Sequence, residues 1–240
     1  MQANILLVED DETLGFLLQA FLSTRDFKVD WAKDGVEALR FFNASSYDLC
    51  LLDVMMPALD GFTVAELIRN RSLNLPIIFL TAKSLHADVV RGFKAGADDY
   101  IKKPVNEEEL VARIRAVLKR TYSKLTVSGE ERTVFQIGQY IFDSEKLFLQ
   151  LEDDRTTLTE MEAHLLKMLC EKNGQLVQRE HVLEKIWGRH DFLARKSMDV
   201  FISRLRKYLS KDVRIRIVNV HASGFVLEVG EEHPPSGSSG

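Results

Sequence analysis

The stretch Leu49-Cys50-Leu51-Leu52-Asp53 places four apolar residues directly before an acid. Three further short runs, at residues 5–8, 77–80 and 100–102, also lead into polar or charged side chains. Short apolar runs bounded in this way are typical of strands buried in a parallel sheet. Functional groups in an open α/β sheet gather beyond the carboxyl ends of the strands. We therefore predict one parallel sheet with a reactive edge.

The side chains that follow these strands form one predicted constellation. They are two acids, a third acid, a hydroxyl and an ammonium, namely Glu9, Asp10, Asp53, Thr81 and Lys103. Crowded carboxylates repel each other unless a cation intervenes, and Mg²⁺ with oxygen ligands suits that role. A carboxylate in such a place can accept a phosphoryl group, whose oxygens Thr81 and Lys103 would contact. Each residue alone is typical of a solvated loop, and only their joint placement indicates this chemistry.

The pattern along the chain predicts two domains of different class. Amphipathic segments alternate with the strands at residues 11–24, 34–45, 60–70, 84–95 and 106–120. We therefore expect an α/β fold, a (βα)5 doubly wound parallel sheet, in residues 1–120 and a polar linker at 121–131. Short strands, three helices and a hairpin in residues 132–230 predict an α+β winged helix-turn-helix domain. Residues 231–240 are expected to be a disordered tail, outside the fold.

Composition restricts the class of protein and its compartment. The 240 residues are 45% hydrophobic and 28% charged with a net charge of −4, which is ordinary for a globular protein. We find no signal peptide and no apolar run that could cross a bilayer, so we expect a cytoplasmic protein without a membrane partner. Cys50 and Cys170 fit packing positions. Residues 189–216 carry nine basic and three acidic side chains, a local excess that suits a polyanion.

The segment 194–209 shows helical periodicity with two distinct faces. One face is apolar and comprises Met198, Phe201, Ile202, Leu205, Tyr208 and Leu209. The opposite face comprises Lys196, Val200, Ser203, Arg204 and Lys207, with Arg206 on a flank. A charged face is often only solvated, but a basic helix placed third, before a hairpin, fits a DNA major groove.

Several motifs of residues 3–120 resemble the receiver domain of bacterial two-component response regulators. They are Glu9-Asp10, Asp53, Met56-Pro57, Asp60-Gly61, Thr81-Ala82, residues 95–100 and Lys103-Pro104. The resemblance implies that Asp53 is the phosphoacceptor and that a sensor histidine kinase is the donor. It also implies a Mg²⁺ site formed by Glu9, Asp10, Asp53 and the backbone carbonyl of Met55. Thr81 and Tyr100 match the family's switch pair, in which the hydroxyl turns to the phosphate and the ring follows. Lys103-Pro104 matches a cis peptide position.

Residues 133–229 are similar to the effector domain of the OmpR/PhoB class of response regulators. The matching positions are 158–162, 179–180, 187–188, 197–200, 204–207 and 224–225. The resemblance implies a transcription factor that binds double-stranded DNA with its third helix and its wing. The residues expected near DNA are Lys196, Ser197, Val200, Ser203, Arg204, Arg206, Lys207 and His221. Relatives often carry Arg-Gly where this chain has His221-Ala222, so the base preference does not transfer.

The resemblance further implies a homodimer that phosphorylation favours. The receiver surface expected to form it offers Arg91, Asp98, Asp99, Glu109, Arg113 and Arg115. Relatives often carry a basic residue at the position of Val89, so one expected ion pair is absent and the dimer is weaker or shifted. The loop 188–193 matches a segment that can touch RNA polymerase.

Two alternatives remain open from the sequence. A regulator that binds DNA constitutively would ignore phosphorylation, and the missing charge at Val89 is compatible with it. A Mg²⁺-dependent phosphatase would use Asp53 as a transient nucleophile, but such enzymes often need a second acid where Met55 stands. We therefore expect self-phosphorylation and autodephosphorylation only, and no enzymatic turnover of a separate substrate.

Overall fold

The structure is a computed structural model that describes residues 2–82, 91–92, 95–122, 132–172 and 174–230. The chain forms two compact units, one around a five-stranded sheet and one around two smaller sheets. The predicted tail, most of the predicted linker and Val89 lie outside the described residues. The predicted helix at 84–95 also falls mostly outside them, with Arg91 and Gly92 helical.

The first unit contains the predicted parallel sheet. Its strands are β1 (Ala3–Val8), β2 (Phe27–Ala32), β3 (Leu49–Asp53), β4 (Ile77–Thr81) and β5 (Asp99–Lys102). They lie in the order β2-β1-β3-β4-β5, and every neighbouring pair is parallel. The stretches 5–8, 49–52 and 77–80 within β1, β3 and β4 are continuously apolar because both faces of this sheet are covered. The α/β fold class predicted for this unit is confirmed.

Helices cover both faces of this sheet. They are α1 (Glu12–Ser23), α2 (Gly35–Ala44), α3 (Gly61–Arg69) and α4 (Glu107–Tyr122). The first three each begin after an aspartate, Asp11, Asp34 or Asp60, whose carboxylate accepts a hydrogen bond from a backbone N–H of the first turn. These caps fix where the loops after β1 and β3 end; the first of these loops carries Glu9 and Asp10, and the second begins directly after Asp53.

The sheet separates two hydrophobic layers. Leu6, Leu52 and Phe79 belong to one layer, and Leu7, Leu51 and Leu80 belong to the other. Successive side chains of a strand point to opposite faces, which is why neighbours in sequence lie in different layers. The predicted reactive edge, at the carboxyl ends of the strands, therefore belongs to a sheet whose two faces are both packed.

The second unit begins with a four-stranded antiparallel sheet. Its strands are β6 (Val134–Ile137), β7 (Tyr140–Asp143), β8 (Phe148–Leu151) and β9 (Asp154–Thr157), each paired with the next. Helix α5 (Glu160–Glu171) follows, and its capping box joins Thr159 to Glu162. The unit agrees in element order with the predicted α+β winged helix-turn-helix.

The remaining elements of the chain are the other helices and the wing. They are β10 (Val177–Gln178), α6 (Arg179–Val182), α7 (Phe192–Tyr208), β11 (Ile215–Val220) and β12 (Gly224–Val229). A π-helical turn at Leu183–Trp187 continues α6 and ends at Gly188, whose φ of 64° suits glycine. Strand β10 pairs with β12, so the hairpin becomes a three-stranded sheet in the order β10-β12-β11.

Candidate metal centre and nucleic-acid interface

Three carboxylates meet at the carboxyl edge of the parallel sheet. Glu9 and Asp10 follow β1 and Asp53 ends β3, which is the neighbour of β1, so their oxygens lie within 4.8 Å of one another. Glu9 and Asp53 are buried, at 0% and 4% exposure, whereas Asp10 is exposed. The cluster thus combines two buried carboxylates with one that solvent reaches, and all three offer hard oxygen donors.

Lys103 joins two of these acids. Its ammonium nitrogen lies 2.8 Å from Glu9 Oε1 and 2.7 Å from Asp53 Oδ2. Burial alone would lower the pKa of Lys103, but the hydrogen bonds to Asp53 and Glu9 outweigh burial and raise it. The ammonium is therefore held in its charged form beside Asp53. The bond between Lys103 and Pro104 is cis, as predicted.

Glu9 has one oxygen without a partner. Burial raises the pKa of Glu9 to about 7, against the lowering effect of the Lys103 hydrogen bond. Its Oε2 atom is buried and accepts no hydrogen bond from any described residue. A buried carboxylate oxygen in this state costs free energy unless a cation or a donor binds it. The donor set and this free oxygen fit a hard divalent cation such as Mg²⁺.

The backbone around Asp53 is held closely. The Met55 N–H donates a hydrogen bond of 3.1 Å to Asp53 Oδ1, which orients that carboxylate. A Cβ on Gly61 would lie 2.0 Å from the Asp53 carbonyl oxygen, so only glycine allows α3 to begin here. Any side chain at position 61 would displace the Asp53 backbone.

Thr81 and Tyr100 lie on neighbouring strands β4 and β5 and are both buried, at 2% and 1% exposure. The Tyr100 ring packs on Phe79 with ring centroids 5.2 Å apart. A Cβ on Gly92 would lie 1.3 Å from the Tyr100 hydroxyl oxygen, so the buried position of the ring requires glycine at 92. The structure thus shows the inward orientation of the predicted switch residue.

Trp31 supports the acidic loop from β2 and was not predicted from the sequence. Its indole N–H donates a hydrogen bond of 2.9 Å to the Glu9 carbonyl oxygen. A Cβ on Gly15 would lie 2.3 Å from the Trp31 ring, so this glycine in the middle of α1 makes room for the ring. A helix-interior glycine is unfavourable by itself, and that cost is the sequence signal that could have indicated a close packing partner.

The residues expected at a dimer surface already form ion pairs within the protomer. Asp98 pairs with Arg69 at 2.6 Å, and both side chains are at most 10% exposed. Arg113 pairs with Asp99 at 3.2 Å and also with Glu109. Arg91 pairs with Asp60 at 3.2 Å, and Arg115 is exposed. The surface therefore offers fewer free charges than the sequence pattern indicates.

The predicted DNA-facing residues of α7 differ in accessibility. Ser203, Arg206 and Lys207 are exposed, and Lys196 and Arg204 are half-buried. Ser197 and Val200 have exposures of 0% and 8%. At the wing, His221 is exposed in the turn between β11 and β12.

Two arginines of α7 bind protein groups. Arg204 Nη1 lies 3.0 Å from Glu162 Oε1, a carboxylate of α5 that is 1% exposed at its side chain. Arg206 donates hydrogen bonds of 2.9 and 2.7 Å from Nε and Nη2 to the Ile217 carbonyl oxygen of β11. These bonds connect α7 to α5 on one side and to the wing on the other.

None of the helices in the described ranges combines the length and apolar character that a membrane span requires.

Comparison with protein families gives two matches, one in each unit. Residues 5–115 match the response regulator receiver domain. Residues 153–227 match the C-terminal domain of transcriptional regulatory proteins. Receiver domains bind Mg²⁺ at an acidic pocket, and the residues Glu9, Asp10 and Asp53 form such a group in this chain.

Similar proteins cover nearly the whole chain. The transcriptional regulatory protein RprY of Bacteroides fragilis is 44% identical over 93% of this chain and 94% of its own length. The structure of DrrB, an OmpR/PhoB homologue from Thermotoga maritima, is 27% identical, covers 95% of this chain and 100% of its own, and has a TM-score of 0.50. A RitR variant structure is 26% identical over 95% of this chain and 100% of its own, with a TM-score of 0.72.

Proposed function

The chain belongs to the two-component response regulators that join a receiver domain to a transcriptional regulatory C-terminal domain, and we propose that phosphorylation of Asp53 controls its DNA binding. The observation that carries the proposal is the buried Asp53 carboxylate, which lies beside Lys103 in a cluster with Glu9 and Asp10. A sensor histidine kinase is the donor in this proposal. The domains are the receiver at 1–120, a linker at 121–131 and the effector at 132–230.

Asp53 acts as the nucleophile in the proposed transfer. A carboxylate oxygen forms a new P–O bond, the N–P bond of the donor phosphohistidine breaks, and its electron pair stays on the imidazole ring, which takes up a proton. Glu9, Asp10, Asp53 and the Met55 carbonyl would hold Mg²⁺, which would supply positive charge for the phosphoryl oxygens. Lys103 is already 2.7 Å from the accepting carboxylate, so its ammonium meets the incoming charge without a large movement.

Thr81 and Tyr100 transmit the modification. Thr81 lies at the end of β4, where its hydroxyl can bond a phosphoryl oxygen, and Tyr100 lies on the adjacent strand. The buried position of the Tyr100 ring, which Gly92 permits, is the state that the phosphorylated receiver retains. A homodimer forms through the surface around Arg91, Arg113 and Arg115.

The effector unit binds double-stranded DNA with α7 in the major groove. The exposed residues Ser203, Arg206 and Lys207, with the half-buried Lys196, provide contacts to phosphates and bases. His221 at the tip of the wing approaches the neighbouring minor groove. The loop 188–193 contacts RNA polymerase, and the protein acts in the cytoplasm, where its DNA and phosphodonor are found.

The experiment that tests the proposal compares the wild-type chain with Asp53→Asn after incubation with acetyl phosphate and Mg²⁺. Intact mass, sedimentation and binding to duplexes selected from a random-sequence library are measured together. We expect a phosphoryl adduct, dimerisation and tighter DNA binding in wild type only. An adduct without dimerisation would contradict the dimer, and equal DNA binding by both chains would favour the constitutive regulator.

A further inference from the structure

Glu162 of α5 is the centre of a hydrogen-bonded network that joins α5 to α7. Its Oε2 atom accepts a 2.8 Å hydrogen bond from the Thr159 N–H. Its Oε1 atom accepts hydrogen bonds from Arg204 Nη1 at 3.0 Å and from the Tyr208 hydroxyl at 3.1 Å. Both oxygens of this buried carboxylate therefore have partners, and two of the partners come from the predicted DNA-binding helix.

The two partners on α7 are one helical turn apart, at positions 204 and 208. Contacts from i and i+4 fix the helix on one face at two heights, which restricts both its rotation and its tilt. The Tyr208 carbonyl also accepts a 2.9 Å hydrogen bond from the Tyr140 hydroxyl of β7. The end of α7 is thereby joined to α5 and to the first sheet of the unit.

We propose that Arg204 is a positioning residue, which acts through Glu162 to set the orientation of α7, and that it is not a phosphate contact. The inference rests on the proposed function, because it concerns how the same helix meets DNA. The carboxylate of Glu162 neutralises the Arg204 guanidinium, so this arginine contributes little to the field that attracts phosphates. Exposed Lys207, on the same helix, provides that field.

The consequence for binding is measurable because a phosphate contact and a positioning contact respond differently to salt. Log affinity falls as log salt concentration rises, and each phosphate that a cationic side chain neutralises makes this slope steeper by about 0.9. A positioning residue alters the affinity for the preferred sequence and leaves this slope unchanged. The sign of the Glu162→Gln effect also differs. A positioning Arg204 predicts weaker binding, whereas an Arg204 that contacts phosphate predicts tighter binding, because the carboxylate that competes for the guanidinium is lost.

The test uses the full chain, phosphorylated with acetyl phosphate, and a duplex that the wild-type chain selects from a random-sequence library. Binding is measured at several salt concentrations for Arg204→Gln, Glu162→Gln and the double variant. We expect each to weaken binding about tenfold with the slope unchanged, and the double variant to be no weaker than either. Lys207→Gln is the matched control and should make the slope shallower by about 0.9.

Tyr208→Phe provides a variant that keeps every charge and the helix intact. It removes one hydrogen bond to Glu162 and should weaken binding about threefold with the slope unchanged. Burial raises the pKa of Tyr208 to about 12, with the Glu162 charge adding to the effect, and Glu162→Gln should lower this pKa in an ultraviolet titration.

Three results would overturn the inference. They are a slope that becomes shallower by about 0.9 in Arg204→Gln, tighter binding by Glu162→Gln, or unchanged binding by both Glu162→Gln and Tyr208→Phe. A wild-type chain that selects no duplex would overturn the proposed function together with the inference. A wild-type chain that binds while its variants bind equally well would overturn the inference alone.

Discussion

Glu9 in the first unit and Glu162 in the second are both buried carboxylates bonded to a cationic side chain, but their oxygens are used differently. Glu162 has partners for both oxygens, from Thr159 and from α7. Glu9 bonds Lys103 through Oε1, and its Oε2 finds no partner among the described residues. Glu162 therefore stabilises the fold with both oxygens, whereas Glu9 keeps one oxygen that can bind a ligand.

Lys103 gives the largest expected effect. We expect Lys103→Gln to slow phosphorylation of Asp53 by acetyl phosphate about 100-fold, because a positioned cation next to developing charge is lost. The rate is followed by intact mass, with Lys102→Gln as the control, since Lys102 is the exposed neighbour. An unchanged rate would mean that the ion pair between Lys103 and Asp53 is only structural.

Charge removal should affect the stability of the two units in opposite directions. Glu162→Gln leaves the half-buried Arg204 without its charged partner and should cost about 2 kcal/mol of the free energy of unfolding. Glu9→Gln removes a buried charge with an unpartnered oxygen and should raise the free energy of unfolding by up to about 1 kcal/mol. Destabilisation of similar size in both variants would contradict the comparison.

The two tryptophans allow each unit to be followed separately in urea. Trp31 lies on β2 of the first unit, and Trp187 ends the π-helical turn of the second. The chain has no other tryptophan. Trp187→Phe therefore reports the unfolding of the first unit by fluorescence, and Trp31→Phe reports that of the second.

The pH dependence of stability should distinguish Glu9, which has an unpartnered oxygen, from Glu162, whose two oxygens both have partners. The pKa of Glu9 is raised from 4.5 to about 7, so the folded protein holds a proton that the unfolded chain has lost in this interval. Without Mg²⁺, the contribution of Glu9 is therefore fully present below pH 4.5 and is lost as the pH rises through about 7. Urea unfolding of Trp187→Phe between these values should show this decline. The added variant Glu9→Gln should abolish it, and a decline that persists would assign the proton to another group.

Trp31 should have the smallest effect. Trp31→Phe removes the hydrogen bond to the Glu9 carbonyl oxygen and should weaken Mg²⁺ binding about threefold, because the acidic loop is less firmly oriented. Calorimetric titration with Mg²⁺ measures the affinity, and Trp187→Phe, whose indole lies in the other unit, serves as the control. Equal affinities in the two variants would show that the loop is held without Trp31.

Most elements of both units were predictable because they follow from local patterns. The apolar runs before Glu9, Asp53 and Thr81 predicted the strands, and the two-faced pattern of 194–209 predicted a helix observed at Phe192–Tyr208. Strand β10 was missed because its two residues carry no periodicity of their own. It exists through pairing with β12, which is far along the chain.

The meeting of the acids was also predictable, since the carboxyl ends of parallel strands share an edge. The hydrogen-bond partners of Arg204 and Trp31 could not be predicted from the sequence. Glu162 lies 42 positions before Arg204, and the Glu9 carbonyl lies 22 positions before Trp31. Neither spacing leaves a local signal, so a periodicity that places Arg204 on the outer face cannot reveal its partner.

The anchoring of α7 near one end gives this helix the geometry of a lever. Its 17 residues span about 25 Å at 1.5 Å per residue, and Arg204 lies close to the carboxyl end. About 18 Å separate Arg204 from the start of the helix, so a tilt of about 10° there moves the far end by about 3 Å. That displacement is close to the spacing of about 3.4 Å between successive base pairs. A small loosening at Glu162 would thus shift which base pair the far end of α7 meets.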